Sequence, residues 1–340
     1  MVEGKPLAPG KIQLSSELEI TPLAAESLGV RSLATHVQTA DASVLIDPSV
    51  ALGFRDNYHP HPTEYILLES LQKQIVVGAE TVDLIVISHF HHDHFMPFFR
   101  NYALFWSSRD DAEALYGGRK VWCKDIRTRI NYSQQRRGYN FIRSARKVAQ
   151  EVVYADGKAL KIGKTLIRFS PAVPHGESGT ELGWVIMTAI RCGSFSLVHA
   201  SDVQGPMVKE TADWILSQKP DVLILAGPPT YLSPERVSKE VITIAANNLD
   251  VLVEQVPMVI VDHHLLRDLE WHQWLEPIQQ RANELGNQVM TVAEVLGRPY
   301  NQLEAKRKSL YENHPVSSTY EAWVKQIKKS RSRIRPPLDT

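Results

Sequence analysis

The chain has 340 residues, 43% hydrophobic and 22% charged, with 38 basic and 38 acidic residues. That is the composition of an ordinary globular protein with ample material for a core, and it excludes disordered, collagen-like and disulfide-scaffold classes. No apolar run approaches the ~20 residues that span a bilayer, the two cysteines give no disulfide framework, and Met1-Val-Glu-Gly-Lys-Pro has no secretory apolar stretch, so a cytoplasmic protein without membrane association is expected.

Residues 1–20 are polar and aperiodic and read as an N-terminal extension. Ser32–Val37 and Val44–Ile46, joined by Thr39-Ala-Asp-Ala42, carry a hairpin signal. Between Thr63 and Val77, Tyr65, Leu68, Leu71, Gln72 and Ile75 fall at three- and four-residue spacing, which predicts a helix. Short apolar runs follow at Val82–Ser88, Thr165–Phe169, Ser194–His199, Asp221–Ala226 and Pro257–Val261, and each reads as a buried strand. Pro234–Leu252 and Trp271–Leu285 read as helices. Residues 21–300 are expected to form one domain and 301–340 a basic C-terminal extension, with no internal repeat.

Positions 89–94 read His-Phe-His-His-Asp-His, directly after the run Val82–Ser88. Neutral imidazole and carboxylate together suit zinc, iron, manganese or nickel. In an extended segment side chains repeat every two residues, so His89 and His91 point the same way and can chelate one ion. A turn after them displaces Asp93 and His94 toward a second ion. His92 has the opposite parity and is expected to be a non-ligand. The isolated His36, His59, His272 and His314 read as surface or core polar groups.

This run resembles the signature of the metallo-β-lactamase-fold hydrolases, in which a separate His, Asp and His follow, each at a strand end. Three candidates stand in that order: His175, Asp202, and the pair His263-His264 after Asp262. The resemblance implies an α/β four-layer αβ/βα sandwich of two mixed sheets with helices on the outer faces. It also implies two divalent metal ions, zinc foremost, with iron, manganese or nickel as alternatives. By resemblance, His89, His91 and His175 hold the first ion, Asp93, His94 and His263 hold the second, and Asp202 bridges both. His263 comes first after its strand and is preferred over His264; Asp262 reads as a supporting group or a competitor. Asp47 stands where the family places an acidic residue that orients a ligand histidine; a plain strand-ending turn with Pro48 is the other reading. The phrases Glu26–Leu33, Ile130–Tyr139, Ala226–Tyr231 and Asp262–Arg267 resemble an uncharacterised, mainly archaeal branch of predicted metal-dependent hydrolases, over roughly residues 20–325. That branch implies fold and metal chemistry but no substrate.

Arg127–Lys147 holds seven basic residues and no acidic one, and Lys306–Arg335 holds nine basic and two acidic. Such stretches favour phosphate-rich partners or are solvated faces; Tyr132, Tyr139 and Phe141 could stack on bases. The expected function is hydrolysis by a hydroxide activated between two metal ions. Asp93 would align the nucleophile or take a proton, and Arg136 and Arg137 would bind a phosphoester, either nucleic acid or a small phosphorylated compound. The alternatives are hydrolysis of a carbonyl ester, lactone, thioester or amide, and a di-iron redox protein on the same ligands. No obligate protein partner is expected.

Overall fold

The computed structural model describes residues 10–326 and 328–338. Two seven-stranded sheets organise it. The first runs in chain order: β1 (Ile12–Ser15), β2 (Leu18–Pro22), β3 (Thr35–Thr39), β4 (Ser43–Ile46), β5 (Leu84–Ile87), β6 (Lys120–Cys123) and β7 (Glu151–Tyr154). The second contains β8 (Ala159–Ile162), β9 (Thr165–Phe169), β12 (Thr188–Cys192), β13 (Phe195–Ser201), β14 (Val222–Ala226), β15 (Met258–Asp262) and β16 (Gln288–Met290). The short ribbon β10 (Val173–Pro174) and β11 (Trp184–Val185) interrupts it between β9 and β12. In each large sheet three antiparallel pairings are followed by three parallel ones.

The parallel strands are apolar on both faces, as sheets covered on both sides require. In β5, Leu84 and Val86 enter the core between the sheets, whereas Ile85 and Ile87 enter the layer under the helices. In β14, Val222 and Ile224 face the central core and Leu223 and Leu225 the opposite helix layer. Helices α1 (Pro62–Gly78), α2 (Arg109–Tyr116) and α3 (Tyr132–Ala145) cover the first sheet. Helices α4 (Lys209–Ser217), α5 (Lys239–Val253) and α6 (Trp271–Glu284) cover the second. The result is the four-layer sandwich of the metallo-β-lactamase fold.

The helix expected from Pro234 begins only at Lys239. Ser238 is its cap, with a side chain that accepts from the Val241 N–H, and such a cap fixes a helix start better than an upstream proline. Residues 1–9 of the expected N-terminal extension lie outside the described residues. Its remainder is not an extension, because Ile12–Ser15 and Leu18–Pro22 are strands of the first sheet. Residues beyond 301 pack against α1: Tyr320 and Trp323 join the core of the first helix layer, and Arg307 is bound to Glu64. Among the described residues, no helix is long and apolar enough to cross a membrane.

Candidate metal centre

The carboxyl ends of four parallel strands, two from each sheet, meet at one edge of the sandwich. Asp47 leaves β4, Ser88 and His89 leave β5, Asp202 leaves β13, and His263 leaves β15. Asp47, Ser201 and His263 each turn out of their strand with positive φ (51°, 55° and 60°), a conformation that costs of order 1–3 kcal/mol in a non-glycine residue. The backbone therefore aims these side chains at one place instead of continuing the sheet.

Within the motif, alternation is enforced by packing. Phe90 is fully buried, with Phe95 and Phe141 ring centroids at 5.4 and 6.0 Å. The His92 ring lies 4.2 Å from Phe105 and 5.0 Å from Phe95. With Phe90 and His92 anchored among aromatic rings, His89 and His91 are left to face the strand ends. The His94 N–H then donates to the His91 carbonyl at 3.0 Å, and this turn swings Asp93 and His94 beside the first two histidines.

The side chains form overlapping groups whose donor atoms lie within 4.8 Å of one another: His89, His91, His175 and Asp202; Asp93, His94 and His263; and Asp202, His263 and His264. Asp202 Oδ2 is the common point. It lies 2.8 Å from His175 Nε2, 3.1 Å from His264 Nε2, 3.5 Å from His263 Nε2 and 3.7 Å from His94 Nε2. Asp93 Oδ2 lies 3.5 Å from His263 Nε2. All seven residues expected as ligands are thus gathered, and His92 is outside these groups.

A second set of residues orients the first. Asp47 accepts from Ser88 N–H (2.8 Å), from the Ser88 and Ser201 hydroxyls (2.7 and 2.6 Å) and from His94 Nδ1 (2.9 Å). Against the effect of burial, Asp47 and the neighbouring carboxylates raise the His94 pKa to about 9; in the neutral ring, a proton held at Nδ1 would leave the Nε2 lone pair for a metal. Gln134 of α3 lies 3.4 Å from His91 Nε2, and Gln204 lies 3.4 Å from His175 Nδ1. Asp262 is turned away: its carboxylate caps the Ser27, His263 and Val292 N–H groups. Arg267 is buried, held by Glu26 at 2.8 Å, and reaches His264 Nδ1 at 3.2 Å and Asp93 Oδ2 at 3.7 Å. Sequence reading assigned no role to Arg267, Gln134 or Gln204; the signals were the distinctive phrases Asp262–Arg267, ending at Arg267, and Ile130–Tyr139, which holds Gln134.

The electrostatics follow the geometry. Burial, then neighbouring imidazoles, hold His89 and His91 well below the usual imidazole pKa, so their lone pairs stay free. Burial alone would raise the Asp202 and Asp93 carboxyls, but adjacent histidines, joined by Arg267 at Asp93, hold both below the ordinary carboxylate range. Of the two expected phosphate-binding arginines, Arg137 is half-buried and donates to the Phe90 carbonyl at 3.2 Å. Arg136 is exposed on the outward face of α3.

Two mixed sheets clothed in helices, with a His/Asp cluster at the ends of their parallel strands, define a metallo-β-lactamase-fold protein with a cluster suited to divalent metal. The chain belongs to the UPF0282 family: it is 38% identical over 303 residues to the UPF0282 protein of Korarchaeum cryptofilum, covering 89% of this chain and 97% of that one. No family model matches. Among solved structures it is similar to CmlA, a diiron β-hydroxylase from Streptomyces venezuelae, at 12% identity and TM-score 0.46 over 85% of this chain and 54% of that one. It is also similar to a metal-dependent hydrolase of the beta-lactamase superfamily, at 11% identity and TM-score 0.44 over 81% of this chain and 95% of that one.

Proposed function

We propose that the protein is a metal-dependent hydrolase of phosphoesters. The observation that carries the metal reading is a set of buried polar atoms, Nε2 of His89, Nε2 of His94 and Oδ1 of Asp202, with no hydrogen-bond partner among the described residues. Leaving such atoms unpaired costs about 1–3 kcal/mol each, and divalent ions held by these residues would satisfy them. His89, His91 and His175 would hold one ion, Asp93, His94 and His263 a second, and Asp202 would touch both. When bound, two such ions supply Lewis acidity, lowering the pKa of water to about 7 and balancing negative charge on reacting oxygens.

The chain's own groups supply the rest. Asp93 is the more exposed carboxylate of the proposed ligand set, its side chain 16% exposed against 2% for Asp202. Kept ionised by His94, His263 and Arg267, it can orient a water and accept its proton. Arg137 supports a phosphoester over a neutral ester, because its cation stands beside the motif at Phe90 and faces the Asp93 charge. Phe90, Phe95 and Phe141 wall the motif off from bulk water on the helix side.

The test is a comparison of bis(p-nitrophenyl) phosphate with p-nitrophenyl acetate and a lactone, using metal-analysed protein. Turnover of the phosphodiester with little on the neutral substrates is expected, and Asp93→Asn should abolish it. A preference for the neutral substrates overturns the phosphoester assignment. Two irons per chain with no hydrolysis of any of them overturns the hydrolase reading in favour of redox chemistry.

A further inference from the structure

We infer that the outward face of α3 is a binding surface for single-stranded nucleic acid. The helix runs Tyr132–Ala145 without an acidic residue. Its register places Tyr132, Arg136, Tyr139 and Arg143 at i, i+4, i+7 and i+11, a single stripe about 16 Å long at 1.5 Å per residue. All four are exposed, Tyr132 at 76% and Tyr139 at 58%. Neither Arg136 nor Arg143 has an ion-pair partner among the described residues.

The stripe borders a groove of about 520 Å³ lined by Ile126, Arg127, Tyr132, Gln135, Arg136 and Tyr139. Arg127 forms a fixed wall there. Asp125 holds its guanidinium at 2.7 Å, and Tyr154 lies beneath it at 4.6 Å, so its charge is largely answered within the protein. The free charge of the groove belongs to Arg136, with Arg143 one turn beyond Tyr139.

Two exposed phenol rings alternating with two unpaired guanidinium groups match a chain that alternates flat bases with phosphates. An acidic peptide would use the arginines and leave the rings wet. A duplex would meet the arginines with phosphates but keep its bases stacked away from the rings. The surface is also joined to the candidate centre through the same helix. Gln134 and Arg137, on the inner side, reach His91 and Phe90 of the motif at 3.4 and 3.2 Å. A strand on the outer face therefore lies about one helix diameter, ~10 Å, from the His/Asp cluster. The inference rests on the phosphoester reading and narrows its substrate to a polynucleotide.

The experiment measures fluorescence anisotropy of labelled oligo(U) and oligo(dT) with the full-length protein, with and without a chelator, against a duplex of equal length. Both single strands should bind whether or not metal is present, and more tightly than the duplex. Tyr132→Ala with Tyr139→Ala should weaken binding by at least about tenfold, and Phe at both positions should restore it, because the ring and not the hydroxyl stacks. Arg136→Ala with Arg143→Ala should lower the salt dependence, log affinity against log salt, by about 1.4. Circular dichroism checks that each variant is folded. No binding by the wild type, equal binding of duplex, or an unaffected tyrosine pair overturns the surface. Wild-type turnover of bis(p-nitrophenyl) phosphate is scored separately. Turnover without strand binding removes the surface and leaves the hydrolase; strand binding without turnover does the reverse.

Discussion

At the scale of single residues, Asp202 is the side chain on which the cluster converges, with four imidazole Nε2 atoms within 3.7 Å of one carboxylate oxygen. Asp202→Ala should therefore remove most bound metal, measured by elemental analysis of the purified variant. His92→Ala should retain the wild-type content, since that ring is packed on Phe95 and Phe105. Comparable metal loss in both would dissolve the distinction. The neighbouring pair His263-His264 is resolved by proton bookkeeping. Arg267 is always a donor: its contact with His264 Nδ1 at 3.2 Å uses that lone pair and places the proton on Nε2, whereas it stands 3.4 Å from both ring nitrogens of His263 and so selects neither of them. His264 Nε2 then donates to Asp202 Oδ2 at 3.1 Å and offers no lone pair to an ion. Burial and the Arg267 charge keep the ring neutral, its pKa down at about 3. His263→Ala should cost one metal per chain and His264→Ala none, with the stoichiometry titrated under saturating metal. This discrimination was not legible in the sequence, because adjacent histidines after a strand look alike until the different approach of Arg267 to each ring is seen. The Asp47–Ser88–Ser201–His94 contacts were half legible: Asp47 was flagged by its position after β4, but its serine partners stand 41 and 154 residues away.

At the scale of elements, the strands ending in ligands were readable because a strand buried on both faces must be a short continuous apolar run. Helix α3 was not, since its buried side is sparse: Gln134, Gly138, Phe141, Ile142 and Ala145. Gly138 gives it a role. A β-carbon there would stand 2.5 Å from Ile126 Cγ2 and 2.6 Å from Phe90 Cε2, and both partners are held by core packing. A glycine inside a helix costs up to about 1 kcal/mol relative to alanine, so Gly138→Ala would stabilise an isolated helix. In this protein the clash should dominate, as overpacking typically costs about 1–3 kcal/mol. The variant should melt earlier than wild type. It should also bind metal more weakly, because Phe90 is the anchor that aims His89 and His91. A stabilised variant with unchanged metal affinity would mean that α3 does not press on the motif.

At the scale of the whole molecule, the two sheets repeat one pattern of three antiparallel and three parallel pairings, yet no repeat was visible in the sequence. Strand cores constrain polarity and size, not identity, so two halves can share a topology with little shared sequence. The residues after 301 were legible only as a basic stretch, and basic composition does not reveal which charges are spent inside. Arg307 is the clearest such charge, 1% exposed and bidentate to Glu64, which is itself fully buried on α1. Glu304 lies 3.9 Å from Arg307 and pairs with the half-buried Arg31, so three buried charges and one partly exposed one tie the C-terminal segment to the body of the domain. Arg307→Leu would leave Glu64 uncompensated and should cost about 3–5 kcal/mol, measured by chemical denaturation. Replacing Glu64 with Leu as well should recover much of that loss, because the buried charge and its desolvation penalty go together. The pH dependence separates this electrostatic account from simple loss of packing. Burial already raises the Glu64 pKa above 4.5, with Arg307 opposing it. Without Arg307 the rise must grow. A carboxyl whose folded pKa is raised favours the native state below the unfolded value and loses that contribution as pH climbs through the folded one. The deficit of Arg307→Leu against wild type should therefore shrink as pH falls toward 4.5 and widen above it. A deficit independent of pH would make Arg307 a space-filling side chain and its ion pair incidental.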